Sequence, residues 1–232
     1  MSNSHFERSA RVDEAGREAM LNRIRRALNR QAGEPTPEPV DVDAELLRIN
    51  RPEGNAEPVE RFARAAAETG MEVVNTSGAR LTAAVVTQLN AWGVERLVLP
   101  DGERWRGLDA SLAAEGFTIL PWRAGRATNG AAFFDADAGI TGTSAAIAET
   151  GTLVLEAGPD QPRSLCLVPP AHLAIVHAGD IAADMSALFA KETTSTPSER
   201  LLITGPSKTA DIEGVLIKGV HGPGRVCCVI VR

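Results

Sequence analysis

Three stretches of the chain carry residue types that could do chemistry. In Gly139-Ile140-Thr141-Gly142-Thr143-Ser144-Ala145-Ala146-Ile147-Ala148-Glu149-Thr150-Gly151-Thr152-Leu153, one carboxylate sits at a tight, glycine-punctuated turn between small or apolar strand-like residues. Partial desolvation of such a carboxylate raises its pKa and suits it to acid, base or nucleophile work. A glutamate that binds backbone amides to fix the turn leaves the same pattern, and both readings of Glu149 stand. The second stretch is Thr204-Gly205-Pro206-Ser207-Lys208-Thr209-Ala210-Asp211-Ile212-Glu213, which follows a strand-like run and is read as opening a short helix. Its turn amides, the Ser207 and Thr209 hydroxyls and the Lys208 ammonium would form an anion cradle for a carboxylate or phosphate. An ordinary helix cap by Ser207 or Thr209 is the alternative. The third is His221-Gly222-Pro223-Gly224, where His221 can donate, accept or ligate near neutral pH. His172 opens another apolar run, with His177 just past its end. Histidines at strand edges commonly serve as structural hydrogen bonders, and four histidines beside one carboxylate-rich segment do not specify a metal site.

The glycine-rich dinucleotide fingerprint, the P-loop, the H-E-x-x-H zinc motif and the G-x-S-x-G nucleophile elbow are all missing from the sequence. The elements that must position the three stretches show two textures. From Pro58, helix-like periods at 59–69, 81–92 and 108–115 alternate with short β-rich runs at 71–74, 95–99 and 117–120. That alternation predicts βαβ units and a mainly parallel sheet. Further on, strand-like runs at 144–147, 152–156, 164–168, 172–176, 201–204 and 226–231 crowd together between Gly and Pro punctuation. Several are too close for helical crossovers, so some must pair antiparallel. Ahead of this core, Met20, Leu21, Ile24, Ala27 and Leu28 recur at helical spacing, ending near Gln31-Ala32-Gly33, with Arg23, Arg25, Arg26 and Arg30 on the opposite face. That face is read as solvated, or as a docking surface for an acidic partner. The alternating prolines at 34–39 extend the chain after it. Residues 1–57 therefore read as an N-terminal helical arm with a linker, and 58–232 as an open α/β domain.

A chain of 232 residues with net charge −6 and 44% hydrophobic residues suits one domain with an extension. The mildly acidic balance argues against nucleic-acid binding. No apolar run approaches the roughly 20 residues of a membrane span. Glu7, Asp13, Glu14 and Glu18 among the N-terminal arginines suit no secretory or transit signal, so a cytoplasmic location is expected. The three cysteines, Cys166, Cys227 and Cys228, form no C-x-x-C pair and are too few for a four-thiolate cluster. Adjacent Cys227 and Cys228 in an apolar strand must point to opposite faces as buried, reduced thiols.

Taken together the stretches resemble the LUD-domain proteins, specifically the lactate utilization protein C family (LutC/YkgG). The matching text is Asn22-Arg23-Ile24-Arg25-Arg26-Ala27-Leu28, Gly139-Ile140-Thr141-Gly142 through Leu153, Arg163-Ser164-Leu165 through Val176, Ile203 through Glu213, and Gly219-Val220-His221-Gly222-Pro223. Residues 31–57 have little to match. The resemblance implies an open mixed sheet like that of the NagB/RpiA/CoA-transferase group and 5-formyltetrahydrofolate cyclo-ligase. It implies a role in oxidising L-lactate to pyruvate, with iron-sulfur companion proteins carrying the electrons and no cofactor in this chain. CoA-transferases of this fold group carry a nucleophilic glutamate in a Glu-Asn-Gly turn, which Glu149-Thr150-Gly151 resembles with Thr in place of Asn. The expected site combines Glu149 and His221 as proton-moving groups with Thr204, Gly205, Ser207, Lys208, Thr209 and His172 around a small carboxylate. A stand-alone enzyme of the CoA-transferase or cyclo-ligase type and a metabolite-binding regulatory or assembly protein are the alternatives, and homo-oligomerisation stays open.

Overall fold

The computed structural model describes residues 14–31, 33–34, 57–100, 102, 105–120, 130–190, 197, 199–210 and 216–232. The proline linker, nearly all of the 31–57 stretch, and Asp211, Ile212 and Glu213 lie outside the described residues. Residues 1–48 and 49–232 form two units. In the first, helix α1 spans Glu14–Ala27. It stops before Gln31 because Asn29 turns left-handed (φ 52°), and the Arg30 amide closes on the Arg25 carbonyl at 2.8 Å. Asparagine is one of the few residues that takes this conformation at small cost.

The second unit begins with α2 (Pro58–Thr69), β1 (Glu72–Thr76), α3 (Leu81–Trp92), β2 (Arg96–Val98), α4 (Arg106–Ala114), β3 (Thr118–Ile119), α5 (Gly130–Asp135) and β4 (Ala138–Gly142). It continues with β5 (Ala145–Ile147), β6 (Thr152–Ala157), α6 (Ser164–Leu167), β7 (Ala171–His177), β8 (Ile181–Ala182), α7 (Met185–Ala190), β9 (Glu199–Ile203), β10 (Lys208–Ala210), β11 (Leu216–Lys218) and β12 (Arg225–Val231). Pro58 at the first turn of α2 and Gly70 after its end (φ 97°) bound that helix at the residues that favour each terminus. The Met71 amide bonds the Ala66 carbonyl and the Gly70 amide the Ala67 carbonyl, so the last turn is satisfied in the Schellman manner.

The mixed sheet expected from the sequence resolves into separate sheets. Six strands in the order β1-β12-β7-β4-β2-β3 pair parallel throughout. The antiparallel pairs β5/β6 and β6/β9 sit in a four-stranded sheet of order β8-β5-β6-β9, and β10 and β11 form a third ladder. Central strands β7 and β12 are buried on both faces, which is why they read as near-continuous apolar runs. Leu173, Ile175, Cys227 and Val229 pack under α3 and α4 with Val85, Leu89 and Leu112. Ala174, Val176, Val226, Cys228 and Ile230 face Phe62 and Ala66 of α2 and Leu153 and Leu155 of β6. The two cysteines thus point into opposite cores, as strand alternation requires, and both are free thiols.

Two expectations are corrected. Residues 164–168 are not a strand: Ser164–Leu167 is helical, opened by the bond from the Leu165 amide to the Pro162 carbonyl. Leu165 and Cys166 are buried in different cores, a two-sided burial that periodicity in so short an apolar run cannot distinguish from a strand. The described part of the segment after Thr204 is not helical either; Lys208–Ala210 pairs antiparallel with Leu216–Lys218. Among the described residues, no helix N-terminus is therefore available to the cradle expected there.

Candidate functional site

The Glu149 turn joins β5 to β6 and rests on the backbone of α2. At Gly151 (φ 64°), a Cβ would lie 2.2 Å from the Ala66 amide nitrogen, so only glycine lets the turn approach that closely. The same logic holds at Gly139 in β4, where a Cβ would meet the Leu165 carbonyl oxygen of α6 at 1.8 Å. The Glu149 amide bonds the Ala183 carbonyl at 3.1 Å, and the residue is half-buried. A chain of hydroxyls runs from the turn: Thr150 Oγ1 lies 2.6 Å from Thr152 Oγ1, which lies 2.8 Å from Thr204 Oγ1.

Thr204 belongs to the wall of a cavity of about 230 Å³, into which strand ends and loops distant in sequence converge. Its polar lining is His172 from β7, Thr204, Gly205 and Ser207 after β9, and His221 and Gly222 before β12. Cys166, Leu167, Leu202, Ile203, Pro223 and Val226 make it otherwise apolar. Two backbone bonds hold the loops together: the Ser207 amide donates to the Pro223 carbonyl at 2.8 Å, and the Gly219 amide to the Ser207 carbonyl at 3.0 Å. A second cavity of about 320 Å³, lined by Val74, Asn75, Thr76, Arg80, Ala83, Ala84, Thr87 and Gln88, gathers none of the expected site residues.

His172 is fully buried. Its Nε2 lies 2.8 Å from Thr141 Oγ1 of the neighbouring strand, and its Nδ1 is buried with no hydrogen-bond partner. Burial pushes its pKa from 6.5 down to about 4, so the ring is neutral at pH 7. Burial likewise raises the Cys166 thiol to about 11, with Glu199 adding to the rise. Cys166 is therefore a thiol and no ready nucleophile.

Five of the expected residues, His172, Thr204, Gly205, Ser207 and His221, surround this one cavity; Glu149, Lys208 and Thr209 are not in its lining. Lys208 is turned to α2, where its Nζ donates to the Thr69 carbonyl at 2.6 Å. The last turn of α2 contains no basic residue, and Lys208 supplies the cation that a helix C-terminus favours. Gly205 (φ 93°) approaches the same Thr69, so the Gly205-Pro206-Ser207-Lys208 segment clasps the end of α2 while its other side faces the cavity. Thr209 lies in β10, paired with Ile217. Sequence reasoning missed Thr141 as the partner of His172, a relation set by the side-by-side registry of β4 and β7. Among the described residues, no group of three or more His, Cys, Asp or Glu side chains could hold a metal ion, and no helix is long and apolar enough to cross a membrane.

Comparison with known proteins places this architecture. The model of the LUD domain matches residues 59–231. Lactate utilization protein C of Deinococcus radiodurans is 31% identical over 215 residues, covering 91% of this chain and 93% of that protein. The chain belongs to the LUD-domain, lactate utilization protein C family. Its likeness to lactate utilization protein C of Bacillus velezensis is 32% over 174 residues, or 69% of this chain and 72% of that one. An uncharacterized protein of Neisseria meningitidis serogroup B is 40% identical over 94 residues, and the aligned part of this chain spans 40% of its length. A crystal structure of a DUF162 family protein from Deinococcus radiodurans superposes with a TM-score of 0.52 at 25% identity, covering 78% of this chain and 100% of that chain. The superposition fits the α/β architecture described above.

Proposed function

We propose that the chain is a substrate-handling subunit of an L-lactate utilization system, supporting oxidation of L-lactate to pyruvate while iron-sulfur partner proteins carry the electrons. The observation that carries this reading is the likeness, over 91% of the chain, to a protein named for lactate utilization. The cavity gives the reading a chemical place. It is smaller than the roughly 300–1,000 Å³ of pockets for drug-sized ligands, a scale suited to a three-carbon acid. Oxidation of L-lactate releases two electrons and two protons. The cysteines of this chain are buried thiols with raised pKa values, so the electrons are assigned to clusters on partners. His221, exposed in the cavity lining, takes the hydroxyl proton, the α-carbon hydrogen leaves as the second proton to solvent while the two electrons of its bond pass to the partner clusters, and the Thr204 and Ser207 hydroxyls orient the acid. Glu149 is outside the lining, beside the Thr150 hydroxyl that begins the chain to Thr204, and is assigned no proton step. The same reading divides the chain into an arm at 1–57 and a LUD domain at 58–232, assigns the latter to the NagB/RpiA/CoA-transferase group, and places the protein in the cytoplasm.

The test is lactate-dependent reduction of an electron acceptor by reconstituted partners with and without this chain. Omission is expected to lower the rate at least tenfold, and His221→Gln to lower it by about 100-fold with the fold intact. An unchanged rate on omission contradicts the reading. Turnover of an acyl-CoA or a folate by the isolated chain supports a stand-alone enzyme instead.

A further inference from the structure

Among the described residues, the most informative unsatisfied group is Nδ1 of His172. The side chain is fully buried, yet the residue belongs to the cavity wall, and Nδ1 has no hydrogen-bond partner. Buried polar atoms in folded proteins are almost always paired, so an orphan on a residue of the cavity wall points to an acceptor that reaches it from the cavity as the wall gives way by a side-chain movement. Its proton can be assigned from the other side of the ring. Thr141 is also fully buried, and among the described residues its hydroxyl makes one hydrogen bond, to His172 Nε2 at 2.8 Å. If Nε2 carried the proton, the Thr141 hydrogen and the Nδ1 lone pair would both go unpaired. If Thr141 donates to Nε2, a neutral ring must carry its proton on Nδ1, and one unpaired donor remains. The second arrangement buries fewer unsatisfied groups and is the one the geometry favours.

An N–H donor calls for an acceptor oxygen. The described lining contains no Lys, Arg, Asp or Glu, so a multiply charged ligand such as a phosphate ester would lose its hydration without a counter-charge. We propose that His172 presents Nδ1–H as a fixed donor to the carbonyl or carboxylate oxygen of a small monocarboxylic acid in this cavity, and that Thr141 is the positioning residue holding that tautomer. The proposal deepens the lactate reading and rests on it for the substrate class. It makes His172 a donor rather than a base, and it favours the 2-oxo acid over the 2-hydroxy acid, because a keto oxygen only accepts whereas the hydroxyl of a 2-hydroxy acid also brings a donor that needs an acceptor of its own.

The experiment uses the full chain with ¹⁵N-labelled histidine. Long-range ¹H–¹⁵N correlations at pH 7 report which His172 nitrogen is protonated, and sodium pyruvate, sodium L-lactate, sodium propionate and inorganic phosphate are then titrated in. The expected result is the Nδ1–H tautomer, a saturable downfield shift of that proton with pyruvate, weaker effects with lactate and propionate, and none with phosphate. Thr141→Val should populate the other tautomer and weaken pyruvate binding about tenfold. His172→Asn, whose amide N–H lies near the place of Nδ1–H, should keep pyruvate affinity within about threefold, whereas His172→Phe should lose it by at least tenfold. An Nε2–H tautomer overturns the proposal, as does an Nδ1 that no probe moves, the behaviour of a site filled by water alone. Failure of the lactate reading is distinguishable: electron transfer unchanged on omission of the chain would remove the physiological assignment and leave the tautomer and the pyruvate shift standing.

Discussion

Gly151→Ala is expected to cost about 4 kcal/mol and to lower the melting temperature by roughly 8–16 °C. Two penalties act together. Alanine at φ 64° pays the left-handed backbone strain that glycine avoids. Its methyl would stand 2.2 Å from the Ala66 amide nitrogen and 2.5 Å from the Ala65 carbonyl carbon, both backbone atoms of α2. A helix backbone cannot rotate aside as a side chain can, so the turn must lift off α2 and uncover Phe62, Ala66 and Leu153 in the core between them. Gly139→Ala, against the Leu165 carbonyl, should behave similarly. Gly158 is the internal control, since a Cβ there meets nothing within 4 Å, and Gly158→Ala should stay within about 0.5 kcal/mol of the parent. Denaturant melts of the three variants check this; a Gly151→Ala protein as stable as the Gly158→Ala protein would mean the turn does not sit on α2.

Acidification should destabilise the protein through His172. Its pKa is about 4 when folded against 6.5 for the ordinary group, so between those values the unfolded chain binds the proton more readily than the folded one. The unfolded state then gains with falling pH: stability is fully present above about pH 6.5 and is lost as pH drops towards 4. From pH 7 to pH 5 the loss assigned to this ring is about 2 kcal/mol. Carboxylates also titrate in acid, so the measurement is the difference between the parent and His172→Asn, an uncharged side chain of similar polarity. The variant should lack this component of the pH dependence. Parallel stability curves for the two proteins from pH 7 to pH 5 would show that the ring is not buried neutral.

Much of the scaffold was legible because its boundaries are local chemistry. Pro58 and Gly70 bracket α2, and Gly93 ends α3 in the left-handed conformation, so a helical period plus a breaker was enough. The opposed burial of Cys227 and Cys228 followed from strand alternation alone. The failures have one cause: short segments whose state is decided by distant partners. Residues 164–167 coil because Leu165 and Cys166 fill two different cores, and 208–210 extend because 216–218 lie alongside. The same distinction runs through the candidate site. Residue types identified Thr204, Gly205, Ser207 and His221 as groups worth finding together, but the pairing of His172 with Thr141 depends on the registry of parallel strands 31 positions apart. Lys208 looked like an anion ligand by type and neighbours; the end of α2, 139 positions away, claims its ammonium instead.

The central claim is that a small carboxylic acid binds among His172, Thr204, Ser207 and His221. Backbone amide mapping of the full chain during titration with sodium pyruvate and sodium L-lactate tests it most directly. Saturable shifts are predicted at Thr204, Gly205, Ser207 and Gly222, with the amides of Asn75, Thr76 and Arg80 around the second cavity unmoved. Shifts centred on Asn75, Thr76 and Arg80, or no saturable shift at any amide, would contradict it.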